Sequence, residues 1–288
     1  MEIISGTALA KQIRQDLAIE VSQLTRQYGR APKLAIFLVG EHPASMTYVN
    51  SKAKAAAEVG INHEHIHLPE STSQEELLAL IKRFNADPDM DGILVQLPLP
   101  AHIDTDTILM TIDPQKDVDG LHIINVGKLA SGRKAIQACT PRGVISLLKS
   151  ANITIAGKHA VVAGRSNLVG TPMALLLLRE NATVTICHSK TQNIAAQVAQ
   201  ADILVTAMGK TGIITPDMLK PGVVLIDVAM NYDDNGKLRG DVYCKDDLPL
   251  LEEKVAFASP VPGGVGPMTI ASLLQNTVDI YKENICKH

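Results

Sequence analysis

Short runs of β-branched and other apolar residues alternate with longer stretches whose apolar positions recur at helical spacing, and this rhythm continues over most of the chain. It predicts an α/β fold, with parallel sheets carrying helices on both faces. KLAIFLVG at 33–40 reads as a strand, and 43–60 follows as a helix with Pro43 near its start and Gly60 suited to its end. A second strand is expected near 61–67. Residues 73–87 open with Ser73 and Glu76 at capping-box spacing, and GILVQL at 92–97 is the next strand, stopped sharply by PLP.

Residues 113–143 are rich in turn formers and have no long period, which predicts a linker between two units. Beyond it, strands are expected at about 159–163, 183–187, 202–206, 223–228 and 255–258. The last segment, 266–284, reads as an amphipathic helix with Pro267 in its first turn. No repeat of fixed period and no low-complexity tract interrupts the pattern. A chain of 288 residues fits two domains by length. They are drawn as 1–120, completed by 266–288, and 121–265.

Composition narrows the class of partner. The formal net charge of −3 provides no broad basic field for nucleic acid or an anionic membrane, and aromatic residues at 3%, with no Trp, leave no platforms for stacking bases. Small molecules are the better expectation. The start lacks the basic leader and apolar run of a signal segment, and no stretch nears eighteen uninterrupted apolar residues, so a cytoplasmic protein is expected. Cys139, Cys187, Cys244 and Cys286 lie far apart with no Cys-x-x-Cys, which points to four buried thiols rather than zinc or disulfides.

HAVVAGRSNLVGTPM at 159–173 runs from a buried strand through a glycine turn into a helix. Gly164 and Gly170 keep two positions of a dinucleotide loop, and Ser166 replaces its middle glycine. A serine hydroxyl can still bond a phosphate at a helix N-terminus. The next strand ends in CHSKT where an NAD-binding loop has a carboxylate; His188, Ser189 and Lys190, with Arg165, would suit a 2′-phosphate and hence NADP. A purely structural turn and a solvated basic turn are the alternatives. MGKTG at 208–212 lacks the preceding glycine of a triphosphate loop, since Leu204 stands there.

Candidate chemistry also lies in the first half. Tyr48 and Lys52 share one face of a predicted helix, where Lys52 is either snorkelling or, if buried, a base. Gln96 stands at the carboxyl end of a strand, where ligands gather in open parallel sheets. Asp117 and Asp119 fall in a turn where Asp often only shapes the backbone. SPVPGGVGPMT at 259–269 is either a glycine-rich approach to a flat ligand or a tight crossover. His63, His65 and His67 would share one strand face, but no carboxylate or cysteine nearby completes a metal set, and solvent-facing histidines are the expected reading.

YVNSKAKAAAEVGI, GILVQLPLP, DVDGLH, GRSNLVGTP and PVPGGVGPMT, in this order, closely resemble the bifunctional methylenetetrahydrofolate dehydrogenase/methenyltetrahydrofolate cyclohydrolase family, called FolD in bacteria. The likeness covers nearly the whole chain. It implies an α/β catalytic domain, a Rossmann-like NADP-binding domain, a folate cleft between them, tetrahydrofolate one-carbon derivatives as substrates and a homodimer. It implies also that the last helix returns to pack on the first domain. Matched position by position, it makes Lys52 the catalytic lysine, Tyr48 the residue aligning the folate ring, Gln96 the partner of Lys52 and Asp119 the acid that holds the pterin. Leu97 beside Gln96, and Gly263, Gly264, Val265 and Pro267, fall at substrate positions; Gly164, Arg165, Ser166, Ser189 and Met230 fall at cofactor positions. Ile123 departs from the proline frequent there in the family.

The chemistry explains these groups. Hydride loss from the methylene carbon leaves a cation that two flanking nitrogens stabilise, so that step needs mainly alignment. Hydrolysis of the methenyl cation needs a base for the attacking water, so Lys52 must be largely uncharged in the complex. A carboxylate at Asp119 can accept the two adjacent N–H donors of the pterin. Three alternatives remain at this point: a dehydrogenase lacking the hydrolytic step, a two-domain enzyme like shikimate dehydrogenase, and a protein that senses NADP without turnover.

Overall fold

A computed structural model describes residues 1–233, 236–243 and 251–286. In chain order the elements are β1 (Glu2–Ile3), α1 (Gly6–Tyr28), β2 (Lys33–Val39), α2 (Pro43–Glu58), β3 (Asn62–Leu68), α3 (Gln74–Ala86), β4 (Gly92–Val95), α4 (Thr105–Thr111), α5 (Ile123–Ala130), α6 (Cys139–Ser150), β5 (His159–Ala163), α7 (Gly170–Arg179), β6 (Thr183–Cys187), α8 (Ile194–Val198), β7 (Ile203–Thr206), β8 (Val223–Asp227), β9 (Asn231–Tyr232), β10 (Leu238–Arg239), β11 (Val255–Ala258) and α9 (Val265–Ile285). A 3₁₀ turn at Pro216–Met218 precedes β8. The predicted strands and helices of both halves are present, with ends shifted by at most two residues.

Two compact units divide the chain. One comprises residues 1–10 and 140–269, the other residues 11–139 and 270–288. The boundary drawn at 120/121 therefore moves to 139/140, because residues 117–139 are fastened to the first-half sheet and to α9 by the hydrogen bonds described below. The expected linker is not irregular throughout: α5 lies inside it and α6 begins at its end. The short antiparallel pair β9 and β10, too brief to show a period, was not expected.

The unit of residues 11–139 and 270–288 is built on a three-stranded parallel sheet in the order β3-β2-β4. Along β2 every residue after Lys33 is buried. Leu34, Ile36 and Leu38 join Leu17 and Val21 of α1, Val49 and Ala56 of α2, and Leu273, Leu274 and Val278 of α9 in one core. Ala35, Phe37 and Val39 face the other way, into a core with Leu77, Ile81 and Phe84 of α3 and Ile108 of α4. Burial on both faces is why β2 reads as a continuous apolar run. Helix α3 starts at the predicted capping box: the Ser73 hydroxyl accepts from Glu76 N–H and the Glu76 carboxylate accepts from Ser73 N–H.

The unit of residues 1–10 and 140–269 contains a six-stranded parallel sheet in the order β1-β11-β8-β7-β5-β6. Val161, Ala163, Leu204 and Leu225 pack with Val198 of α8 and with Leu219 and Tyr243, while Ala160, Val162, Val205 and Ile226 are buried on the opposite face. Of the four cysteines, Cys139 and Cys187 are buried, whereas Cys286 is exposed and departs from the expected buried thiol; Cys244 lies outside the described residues. Its position after the last turn of α9 removes Cys286 from that helix's packed stripe.

Candidate active site

In the three-stranded sheet the chain passes from β2 to β3 on one side and then returns to β4 on the other. The carboxyl ends of β2 and β4 therefore flank a topological switch point, the usual place for a ligand in an open parallel sheet. Helix α2 rises from this edge with a buried stripe of Ser45, Val49, Lys52, Ala55 and Ala56. Its small residues let it lie close to the sheet, and Lys52 is only 6% exposed. That burial decides against a snorkelling lysine. Lys52 Nζ donates to Gln96 Oε1 at 3.0 Å, and among the described residues no carboxylate pairs with it. Tyr48 is half-buried one turn before Lys52.

Gln96 is held in place from both ends. Its N–H continues the β4 ladder by donating to Phe37 O at 2.9 Å, and its Nε2 donates to Leu97 O at 2.6 Å. The side-chain oxygen is thereby fixed toward the lysine. Leu97 follows, half-buried, where the chain leaves the sheet.

The acidic turn runs alongside β4. Ile93 N–H donates to Lys116 O at 2.7 Å, and Ile93 and Asp117 form a parallel bridge that adds one residue of strand beside β4. Lys116 Nζ closes the end of α3 by donating to Asn85 O at 2.7 Å and Asp87 O at 2.6 Å. Burial lowers the pKa of that amine. Asp117 points inward and is 2% exposed; its carboxylate accepts from Gly120 N–H at 3.1 Å, His122 N–H at 2.8 Å and Asn125 Nδ2 at 3.0 Å. Burial still pushes the Asp117 pKa up against these bonds.

Asn276 of α9 reaches the same turn. Its Nδ2 donates to Val118 O at 2.7 Å and Gln137 O at 2.9 Å. Gly120 has φ +71°, and a Cβ there would lie 2.4 Å from the Gln137 carbonyl carbon, so this close passage requires glycine. The neighbours of Asp119 are thus tied down. Its own carboxylate is half-buried and has no partner among the described residues. Asp117, Asn125 and Asn276 were not singled out for this bracing from sequence. The available signal was an asparagine within the apolar stripe of Leu273, Leu274 and Val278.

In the six-stranded sheet the switch point lies between β5 and β7. Gly164 leaves β5 with φ +134°, and a Cβ there would meet Ala207 O at 2.4 Å; one on Gly170 would meet Gly164 O at 2.3 Å. Both glycines are needed for the turn itself. Ser166 Oγ accepts from Val169 N–H at 3.2 Å and Gly170 N–H at 3.4 Å, leaving its hydroxyl proton to donate elsewhere. Arg165 and Ser166 are exposed. At the end of β6, Ser189 and Lys190 are exposed as well, whereas His188 is engaged within the turn, its Nδ1 accepting from Lys190 N–H at 3.1 Å.

Two buried acids occupy the neighbouring strand ends. Asp227 closes β8 and accepts from Asp241 N–H at 3.0 Å and Val242 N–H at 2.9 Å. Burial pushes its pKa up to about 6. Asp241 in turn accepts from Met208 N–H at 2.6 Å and Lys210 N–H at 2.8 Å, so MGKTG is a loop held by a carboxylate. Met230 lies just beyond β8 and is 47% exposed.

The PGGVG stretch packs against the start of α1: Gly263 O accepts from Thr7 N–H at 2.9 Å, and a Cβ on Gly6 would lie 1.7 Å from Gly264 O. A Cβ on Gly264 would lie 2.6 Å from Pro260 O, so packing alone demands a glycine there. Val265 and Pro267 stand in the first turn of α9. The expected site residues thus fall into two groups: Tyr48, Lys52, Gln96, Leu97 and Asp119 in one unit, and the glycine-loop, Ser189, Met230 and PGGVG residues in the other. On β3, His65 and His67 stack with ring centroids 6.0 Å apart, and His67 Nε2 bonds Gly40 O at 3.0 Å. Among the described residues no group of three or more candidate metal ligands is found.

Comparison with known proteins adds an independent line. Residues 4–119 match the tetrahydrofolate dehydrogenase/cyclohydrolase catalytic domain, and residues 138–285 match the NAD(P)-binding domain of the same family. The chain is 54% identical over 286 residues to the bifunctional protein FolD of Geobacillus thermodenitrificans, covering 99% of each. The bifunctional FolD methylenetetrahydrofolate dehydrogenase/cyclohydrolase of Campylobacter jejuni superimposes with a TM-score of 0.94 at 48% identity, over 98% of this chain and 99% of that one. The Trypanosoma brucei FolD enzyme, solved with NADP cofactor and an inhibitor, gives 0.91 at 41% identity over 98% and 97%.

Proposed function

The chain belongs to the tetrahydrofolate dehydrogenase/cyclohydrolase family, and from that premise we propose that Lys52, Gln96, Tyr48 and Asp119 carry its folate chemistry. It is a bifunctional enzyme of one-carbon metabolism: an NADP-dependent methylenetetrahydrofolate dehydrogenase and a methenyltetrahydrofolate cyclohydrolase. The observation that carries the assignment of roles is the buried Lys52 amine, 3.0 Å from Gln96 Oε1 at the switch point of its sheet.

The Asp119 carboxylate, without a side-chain partner among the described residues, is suited to the adjacent N–H donors of a pterin, because the bracing of Asp117 and Val118 removes most of the cost of ordering it on binding. Tyr48, on the face of Lys52, lies against the ring system and fixes the one-carbon unit over the amine. In hydrolysis, water adds to the methenyl carbon as Lys52 Nζ takes one of its protons. The C–N5 bond then breaks as the added hydroxyl becomes the formyl C=O and its proton passes to N5, giving 10-formyltetrahydrofolate, and Lys52 releases the proton it took to solvent. Gln96 Oε1 keeps the amine aimed by accepting one N–H, which leaves the nitrogen lone pair for the water.

The six-stranded unit fits NADP by its donor set. Glycine at 164 and 170 lets the turn close without a Cβ at either position, and Arg165, Ser166, Ser189 and Lys190 present exposed donors suited to phosphate. When bound, NADP accepts hydride from the methylene carbon. Arg165 and Ser189 read its 2′-phosphate, while Ser166 donates to the phosphate chain. Met230, Gly263, Gly264, Val265 and Pro267 are assigned as further cofactor and substrate contacts. A homodimer and a cytoplasmic location belong to the same reading, and sedimentation of the purified protein tests the first. Among the described residues no helix is long and apolar enough to cross a membrane.

Mixing the protein with NADP and methylenetetrahydrofolate tests the activities, read as NADPH and the methenyl chromophore. Lys52→Met is expected to abolish hydrolysis of methenyltetrahydrofolate while NADP still binds. Hydrolysis at the wild-type rate in that variant would remove Lys52 from the mechanism.

A further inference from the structure

We propose that Asp241, seated on Asp227, is a positioning residue for the dehydrogenase half-site: it holds residues 207–210 in the shape that receives NADP. This rests on the reading of the six-stranded unit as the NADP site. Residues 207–210 leave β7 directly across the switch point from the Gly-Arg-Ser turn, with Ala207 O occupying the space where a Gly164 Cβ would stand. Whatever lies on that turn must also pass this loop.

The loop takes its shape from one carboxylate. Asp241 is 1% exposed; Oδ2 accepts from Met208 N–H at 2.6 Å, and Oδ1 accepts from Lys210 N–H at 2.8 Å and Asn231 Nδ2 at 3.0 Å. Asp241 is itself seated by Asp227, whose Oδ1 accepts the Asp241 N–H at 3.0 Å and whose Oδ2 accepts the Val242 N–H at 2.9 Å. Gly240 makes that fit possible, since a Cβ there would lie 2.1 Å from Asp227 Oδ2. Asp227 N–H donates to Ser259 Oγ at 3.2 Å, and Tyr243 OH donates to Ser259 O, which ties the pair to the end of β11.

Placing two carboxylates side by side in an interior is costly, and among the described residues neither has a lysine or arginine partner. A loop needed only as a connection could be closed without them. Fixing the backbone of a loop that a ligand must pass is a task that a buried acid performs well, because it takes up the loop's N–H groups and removes its freedom before the ligand arrives. Lys210 and Thr211 are left exposed on the loop that results.

The test compares wild type with Asp241→Asn and Asn231→Ala, measuring NADP dissociation by calorimetry, hydrolysis of methenyltetrahydrofolate without NADP, and Tm. The Asp241→Asn variant is expected to weaken NADP about tenfold, and Asn231→Ala by less, while hydrolysis in both stays within about twofold of wild type. Asp241→Glu should recover part of the loss. Unchanged NADP affinity, or a parallel fall in NADP binding, hydrolysis and Tm, would overturn the inference; if Asp241→Asn does not fold, Asn231→Ala decides it on the same readings. A wild-type chain that binds no NADP would overturn the reading of the site as well, whereas variants that match a binding wild type sink this inference alone.

Discussion

Each unit holds two aspartates close together beside the strands of its sheet, and the two pairs are used differently. In the catalytic unit Asp117 is spent inside, gathering the N–H groups of Gly120, His122 and Asn125, while Asp119 has no side-chain partner among the described residues. In the cofactor unit both Asp227 and Asp241 are spent on backbone N–H groups. The difference fits the proposed ligands. A pterin offers N–H donors and calls for a spare carboxylate, whereas a pyrophosphate repels one, and a carboxylate near it is better turned inward onto backbone N–H groups.

The largest expected break in this comparison comes at the spare acid. Asp119→Ala should lower kcat/KM for methylenetetrahydrofolate about a thousandfold with Tm nearly unchanged; a loss of Tm without loss of folate binding would make Asp119 another internal brace. Asp117→Ala should do the reverse, lowering stability by about 4 kcal/mol because three donors lose their acceptor. Chemical denaturation of the variant checks it.

The third test is one of pH. Asp227 carries a folded-state pKa of about 6, above the ordinary value of 3.8. Its contribution is therefore fully present below about pH 4 and is lost as pH rises through 6, a change of about 3 kcal/mol. The stability of wild type should fall relative to Asp227→Asn over that window, and a flat difference would show that the acid titrates normally. The smallest effect is expected at the exposed donors: Arg165→Glu should weaken NADP about tenfold more than NAD. Equal losses measured by titration of both nucleotides would deny Arg165 the 2′-phosphate.

Much of this was legible in the chain because burial on both faces of a parallel strand leaves a long apolar run, and because Ser73 and Glu76 satisfy local helix-end donors. The DVDG and GRS stretches were legible as motifs. Which of two neighbouring acids turns inward was not, since that depends on the bridge between Ile93 and Asp117, a pairing across more than twenty positions. The turn formers of 113–143 read as linker for a similar reason: Asp117 and Asn125 form an internal network whose donors are brought together only by the fold. The burial of Lys52 likewise depends on how closely an alanine-rich helix lies on its sheet, a distance that spacing does not encode.

The three crossings between units fall within α1, at the start of α6 and within α9, and this has a consequence for how the protein comes to exist. The first sheet to emerge from the ribosome lacks Leu273, Leu274 and Val278 on one face, and the Val118 carbonyl lacks Asn276. That half must wait, partly uncovered, for the last residues to be synthesised. A gene cut at residue 139 would yield a fragment whose DVDG turn lacks its Asn276 brace and which offers an oily surface to its neighbours.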